Sequence, residues 1–193
     1  MAKLIGITGG VGCGKSSILS HLEQRGDCEV VYADLVAKEL EEPGKPCYQP
    51  LIDAFGSDIL SPEDQIIPGK LAEKIFASPE ALEKANAIIH PAVEEEIRRR
   101  MDNCKKPYFI LEAALLLERR YDTILEELWY VYASEEVRRE RLKSSRGYSD
   151  EKISAIMASQ LPEEVFRSKC SVVIDNNGEL SDAIQQADAL LDG

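Results

Sequence analysis

The sequence predicts an α/β fold built on a five-stranded parallel sheet, and three observations predict it. Five short apolar runs of strand length alternate with segments whose apolar residues recur every three or four positions. A glycine-rich stretch joins the first run to the first helical segment. Two other runs deliver an acid, Asp34 and Glu112, at their carboxyl ends, where ligands collect in open parallel sheets. Strands alternating with helices in this way wind a parallel sheet covered on both faces.

The first strand is Lys3-Leu4-Ile5-Gly6-Ile7-Thr8, short and apolar enough to be buried, and Ser16 to Gln24 follows as a helix ended by Gly26. Glu29 to Ala33 is the second strand. Asp34 after it is either a base or metal-shell carboxylate or the N-cap of a helix over Leu35 to Glu41, and its position leaves both open. Glu42-Pro43-Gly44 stops that helix. Pro46 to Phe55 is helical with Gly56 as its cap, and residues 57–69 form a loop rich in Ser, Pro and Asp.

From Lys70 to Cys104 the pattern is helical, with a core face at Leu71, Ile75, Phe76, Leu82, Ala85, Ile88, Ile89, Val93 and Ile97. Ser78-Pro79 is a helix start, and Pro91 is expected to end or kink the helix beyond Ile89. A crossover between parallel strands needs only about a dozen residues, so this block reads as an inserted helical subdomain. His90 lies at the expected kink, where a packed or capping role is the plainer reading. Glu94-Glu95-Glu96 and Arg98-Arg99-Arg100 stand four apart, as on a solvated, self-paired helix face.

Tyr108 to Glu112 is the third strand, and Glu112 is placed for the second shell of a Mg²⁺ ion. Ala113 to Leu117 continue apolar into Glu118-Arg119-Arg120. Leu128 to Ala133 is the fourth strand, with Ser134 capping the helix that carries Arg138, Arg139, Arg141, Lys143 and Arg146. A turn at Gly147 leads to a second helix, Asp150 to Gln160. The bases have few acids on the same turns, which favours a lid over transferring phosphates above a merely solvated helix. Ser171 to Ile174 is the fifth strand and Asp175-Asn176-Asn177-Gly178 a turn. The last helix, Glu179 to Leu191, is expected to bury Leu180, Ile184, Ala187 and Leu191.

The 193 residues suffice for one domain with a sizeable core. A net charge of −12 argues against a nucleic-acid partner, and phosphate-rich ligands must then be held by local basic clusters. No run approaches the roughly 18 apolar residues of a membrane span. The first strand begins so early that no signal peptide is expected. Five cysteines without C-x-x-C spacing suggest neither a disulfide framework nor a zinc site, and a reducing cytoplasm is the expected home.

Gly9-Gly10-Val11-Gly12-Cys13-Gly14-Lys15-Ser16 fits G-x-x-x-x-G-K-[ST], in the strand-before, helix-after context that this phosphate-binding loop requires. Its glycines let backbone N–H groups converge on phosphate oxygens, and the helix adds its positive end. Gly10, Val11, Gly12, Cys13, Gly14, Lys15, Ser16 and Ser17 are therefore the expected nucleotide contacts, with Lys15 on the β- and γ-phosphates and Ser16 on Mg²⁺. Cys13 reads as a small filler, open to oxidation through its neighbour Lys15. No N-K-x-D guanine motif and no L-S-G-G-Q-like stretch is present. What remains is a small-molecule kinase with a phosphate loop, an acid for the acceptor, an acceptor subdomain and an arginine lid.

Here the chain resembles the dephospho-coenzyme A kinase family. The resemblance rests on Gly6 to Ser16, Ala33-Asp34, Glu42-Pro43-Gly44, Phe55-Gly56, Ile75-Phe76 and Asn86-Ala87-Ile88-Ile89-His90-Pro91. It continues through Leu115-Leu116-Leu117-Glu118, Glu140-Arg141 with Gln160, and Val173-Ile174-Asp175-Asn176-Asn177-Gly178. It implies a P-loop kinase-like three-layer sandwich with a helical acceptor-binding insert and a short helical lid. The single domain would have its core at about 1–56, 107–137 and 168–193, the insert at about 57–106 and the lid at about 138–167.

The resemblance also implies ATP- and Mg²⁺-dependent phosphorylation of the ribose 3′-hydroxyl of dephospho-coenzyme A. Asp34 would be the base, Arg141 the lid arginine on the phosphates and Asn176 a residue near the adenine. His90 moves into the acceptor site. No protein partner is indicated. Tyr32 stands where the family has the first acid of Asp-Ala-Asp, and Glu112-Ala113-Ala114-Leu115-Leu116 lacks the proline of a common Asp-x-Pro-Leu-Leu stretch. Arg146 is the nearest match to a second lid arginine. The alternatives are a nucleoside monophosphate kinase on the same core and a nucleotide-binding regulator.

Overall fold

Alternating apolar runs become strands where both faces are covered, and the centre of this sheet is apolar throughout. The structure, a computed structural model, describes residues 2–113, 116 and 124–193. In chain order these form β1 (Lys3–Thr8), α1 (Lys15–Gln24), β2 (Cys28–Tyr32), α2 (Ala33–Leu40), α3 (Tyr48–Phe55), a 3₁₀ turn (Ser57–Ile59), α4 (Pro68–Ile75), α5 (Pro79–Asn103), β3 (Tyr108–Glu112), β4 (Glu127–Tyr132), α6 (Glu135–Arg146), α7 (Asp150–Ala158), α8 (Glu163–Lys169), β5 (Val172–Asp175) and α9 (Leu180–Asp192). The five strands make one sheet in the order β2-β3-β1-β4-β5, all parallel. Later strands add on both sides of β1, so its carboxyl end opens at the middle of the sheet, where parallel α/β sheets place ligands. Ala114, Leu115 and Leu117 to Arg120, part of the apolar run and acid–base tail expected there, lie outside the described residues.

The chain divides into two compact units, Met1–Val30 with Cys104–Gly193, and Val31–Asn103. In the first, Ile5, Ile7, Phe109, Ile110, Leu111, Trp129 and Val131 are buried in the sheet. Helix α1 buries Ile18, Leu19 and Leu22, and α9, which packs on it, buries Ala183, Ala187 and Leu191. Ala187 and Leu191 are thus buried as expected, whereas Leu180, in the first turn, is 40% exposed. Helix α8 was not expected. It brings Phe166 to stack on Tyr130 with centroids 4.9 Å apart, and burial there pushes the Tyr130 phenol up to about 12.

In the second unit α2, α3 and α4 pack on α5 around Val36, Leu40, Leu51, Leu71, Ala85, Val93 and Ile97. The Ser78 hydroxyl caps α5, accepting from the Ala81 amide at 3.1 Å. Pro91 does not end this helix, which runs on to Asn103. Proline removes one ladder donor, and buried Ala85 on one side with Val93 and Ile97 on the other hold both halves against their neighbours. Phe76 also departs from expectation. It falls just after α4 and is 75% exposed, off the core face. The loop at 57–69 holds the 3₁₀ turn and a bridge between Leu60 and Ile66. Helix α5 pairs its own charges as the spacing predicts: Arg98 with Glu94 at 2.8 Å, and Arg99 and Arg100 with Glu96 at 2.7 and 2.8 Å.

Candidate active site

The loop leaves β1 at Thr8 and enters α1 at Lys15, and only glycine fits its last bend. Gly14 sits at φ +89°, and a Cβ there would stand 2.2 Å from Asn176 Nδ2. Asn176, 2% exposed, donates that Nδ2 to the Cys13 carbonyl at 2.7 Å, while its own amide is held by the Tyr132 carbonyl. The turn after β5 therefore braces the phosphate loop from below α1. Cys13 is buried, and burial raises its thiol pKa against the lowering pull of Lys15. That makes it a packing residue rather than a reactive thiol.

A cavity of about 650 Å³ opens over this loop. It is lined by Gly9 to Ser17, so every loop residue expected to touch nucleotide faces it, together with Glu112, Arg141, Arg146, Gln160, Asn176 and Leu180. Lys15 Nζ lies 2.7 Å from Glu112 Oε1. The pairing follows from the sheet, since Glu112 lies level with Ile7 on the neighbouring strand. The two charges compensate each other within the cavity. Arg141 reaches the Cys13 carbonyl with Nη1 at 3.5 Å and the Gly178 carbonyl with Nη2 at 3.4 Å, long contacts that leave the guanidinium free to turn to a stronger acceptor.

The arginine cluster of α6 divides by helix face. Arg139 and Lys143 pair with acids, Arg139 with Glu135 at 2.7 Å and Lys143 with Asp150 at 2.7 Å, so the expected shortage of acidic neighbours holds only for part of the cluster. Arg138, Arg141 and Leu142 lie three and four apart and turn to the loop. Arg138 and Gln160 are loop contacts to which the sequence assigned no such role: Arg138 stood as one of five bases and Gln160 as a residue carrying the resemblance. The i, i+3, i+4 spacing from Arg138 is the signal that separates it from its neighbours.

All these cavity residues belong to the first unit. Asp34 and His90 belong to the second. Asp34 is exposed in the first turn of α2, whose N-cap is Tyr32, so the capping role considered for Asp34 is not the one it takes. Its carboxylate lies near the positive end of that helix. His90 lies within α5, one residue before Pro91.

Comparison with known proteins now bears on this site. The model of the family described as dephospho-CoA kinase matches residues 3–182. The chain belongs to that family. A dephospho-CoA kinase of Carboxydothermus hydrogenoformans is 34% identical over 95% of this chain and 90% of its own length. Another, of Corynebacterium glutamicum, is 36% identical over 97% and 94%. The solved dephospho-CoA kinase from Campylobacter jejuni superposes with a TM-score of 0.75 at 22% identity, over 100% of this chain and 96% of that one, a likeness of fold. This kinase thus gathers the Gly9–Ser16 loop, the Lys15–Glu112 pair and Arg141 around one cavity.

Proposed function

We propose that this kinase transfers the γ-phosphoryl group of ATP to the ribose 3′-hydroxyl of dephospho-coenzyme A, giving coenzyme A and ADP. One observation carries the reading: a single cavity collects the loop backbone, Lys15 and two lid arginines, Arg141 and Arg146, in a chain of this family. In phosphoryl transfer the protein chiefly positions the reactants and neutralises charge. Loop amides, among them that of Gly12, and the amides of Lys15 and Ser16 at the start of α1 cradle the phosphates. Lys15 leaves Glu112 for the β- and γ-phosphates, and Arg141 covers the γ-phosphoryl oxygens from the lid.

Asp34 orients the acceptor hydroxyl and takes its proton as the acceptor oxygen bonds to the γ-phosphorus and the bond to the β–γ bridging oxygen breaks. His90 contributes to the acceptor pocket in the second unit. Asn176 and the exposed Leu180 border the base of the nucleotide.

The donor set fits Mg²⁺, which keeps several waters and takes one or two protein oxygens alongside substrate phosphates. Among the described residues no cluster of three or more His, Cys, Asp or Glu could form a full metal cage. The Ser16 hydroxyl would hold the ion directly, and Glu112, released by Lys15, through its water shell. Bound there, Mg²⁺ would neutralise charge on the β- and γ-phosphates. Five free cysteines suit a reducing compartment, and we place the enzyme in the cytoplasm. No helix among the described residues is long and apolar enough to cross a membrane.

The test is ADP formation with dephospho-coenzyme A, with a panel of nucleoside monophosphates and without acceptor. Stimulation by dephospho-coenzyme A alone is expected. Stimulation by a monophosphate would make the protein a nucleoside monophosphate kinase, and stimulation by nothing would make it a nucleotide-binding regulator.

A further inference from the structure

A phosphate loop rich in glycine has a problem that its sequence does not solve. Peptide planes flanked by glycine rotate with little penalty, so nothing local fixes which way each N–H points. In this chain two lid side chains grip the peptides on either side of Val11. Arg138 Nε donates to the Val11 carbonyl at 2.8 Å. Gln160 Oε1 accepts from the Val11 N–H at 3.1 Å and from Arg138 Nη2 at 2.7 Å. The three groups close a ring. The Arg138 guanidinium also lies against Gly10, where a Cβ would stand 2.5 Å from Nη2. Arg138 itself is not among the residues lining the phosphate cavity, whereas Gly12 is.

The direction of the Gly12 amide follows from peptide geometry. The Val11 carbonyl and the Gly12 N–H share one trans peptide plane and point in opposite directions. A carbonyl drawn toward Arg138 turns the Gly12 N–H away from Arg138, toward the cavity that Gly12 lines. Meanwhile the Val11 N–H is occupied by Gln160 and is not offered to an anion. We propose that Arg138, completed by Gln160, is a positioning residue that sets the Val11–Gly12 peptide plane so that the Gly12 N–H donates to a nucleotide phosphate. The loop's donor set is then preorganised by the lid rather than by its own sequence. The proposal rests on a nucleoside triphosphate being bound at this loop.

The test is steady-state kinetics of Arg138→Met, Arg138→Lys and Gln160→Leu, with thermal melts of each. Methionine keeps the packing of the arginine stem and removes both donors. Arg138→Met is expected to raise KM for ATP by ~10- to 100-fold, the worth of one hydrogen bond to a charged group, with KM for the acceptor unchanged within about twofold. Arg138→Lys restores one donor and recovers part of the loss. Gln160→Leu removes the accepting oxygen that completes the ring and should raise KM for ATP in the same direction, again with KM for the acceptor unchanged within about twofold. The double variant Arg138→Met with Gln160→Leu should be little worse than Arg138→Met alone, because both remove one device.

ATP KM within about twofold of wild type in Arg138→Met overturns the proposal. So does a rise that the acceptor KM shares in step with a lowered melting temperature, which is the mark of general loosening. If Arg138→Met does not fold, Gln160→Leu decides, and an ATP KM within about twofold of wild type in that variant overturns it. The ratio is read on whichever nucleoside triphosphate the wild type turns over, so failure of ATP as donor would sink the donor assignment alone.

Discussion

At the end of β1 the chemistry resides in main-chain groups: loop amides, a helix terminus and carbonyls gripped by Arg138, Arg141 and Asn176. In the second unit the chemistry proposed above falls to side chains carried on helices, Asp34 on α2 and His90 on α5. The two arrangements answer different demands. A polyphosphate presents the same oxygens to any protein, and converging N–H groups suit it whatever side chains surround them. An acceptor must be told from its analogues, and that takes individual side chains at individual places. The phosphate end should therefore lose affinity and rate together when its geometry is disturbed, and the acceptor end should lose rate with donor binding intact.

The largest effect that would break this contrast is expected at Asp34. Asp34→Asn keeps the shape and removes the proton acceptor, so kcat should fall by ~10²- to 10⁴-fold, the usual contribution of a general base. Binding of ATP, measured by calorimetry without acceptor, should stay within about twofold. Near-normal turnover in the variant would remove Asp34 from the chemistry. Arg141→Ala comes next. Its two contacts to the loop and turn carbonyls are long, so little holds it in the free enzyme, and its work is assigned to the transferring phosphoryl group. Single-turnover rates should drop by up to ~10³-fold. A variant altered only in ATP KM would be missing a ground-state contact instead.

Much of the first unit was legible because its signals are local. The loop spacing, the Ser134 cap and the Asp175–Gly178 turn are each set within a few residues, and Ser134 Oγ does accept from the Val137 amide at 3.4 Å. Strand order was not legible, since nothing in Tyr108–Glu112 states that it lies between β1 and β2. Helix α8 was missed because seven residues carry too little periodicity to stand out. Pro91, expected to end or kink the helix, does not end it, because packing on both sides of it holds the two halves. Among site residues, Lys15, Arg141 and Asn176 come from motif and resemblance, and the structure brings them to one cavity. Arg138 was hidden among five basic residues of which only the helix face tells one from another. Glu112 was read as a metal-shell acid, and its ion pair with Lys15 became visible only once two strands were in register.

The smallest expected effect concerns what holds the second unit's long helix. Hydrogen bonds from Arg99 and Arg100 outweigh the upward push of burial and bring the Glu96 carboxyl from an ordinary 4.5 down to about 2. A carboxylate with a depressed folded pKa contributes stability above its unfolded value, and the contribution fades as pH falls through the folded one. Arg99 lies largely toward solvent, which screens its pair, while Arg100 and Glu96 are half-buried, so Glu96→Gln should cost about 1 kcal/mol near pH 7. Urea midpoints of wild type and variant should differ above about pH 4.5 and converge toward pH 2. Salt should narrow the gap as well, because exposed pairs are screened within a Debye length. A difference that stayed constant from pH 7 to pH 2.5 would mean that Glu96 acts through packing of its stem. The charge pattern that the sequence displays so openly on this helix would then be a matter of solubility, with the unit held by the apolar core around Val36, Leu51, Val93 and Ile97.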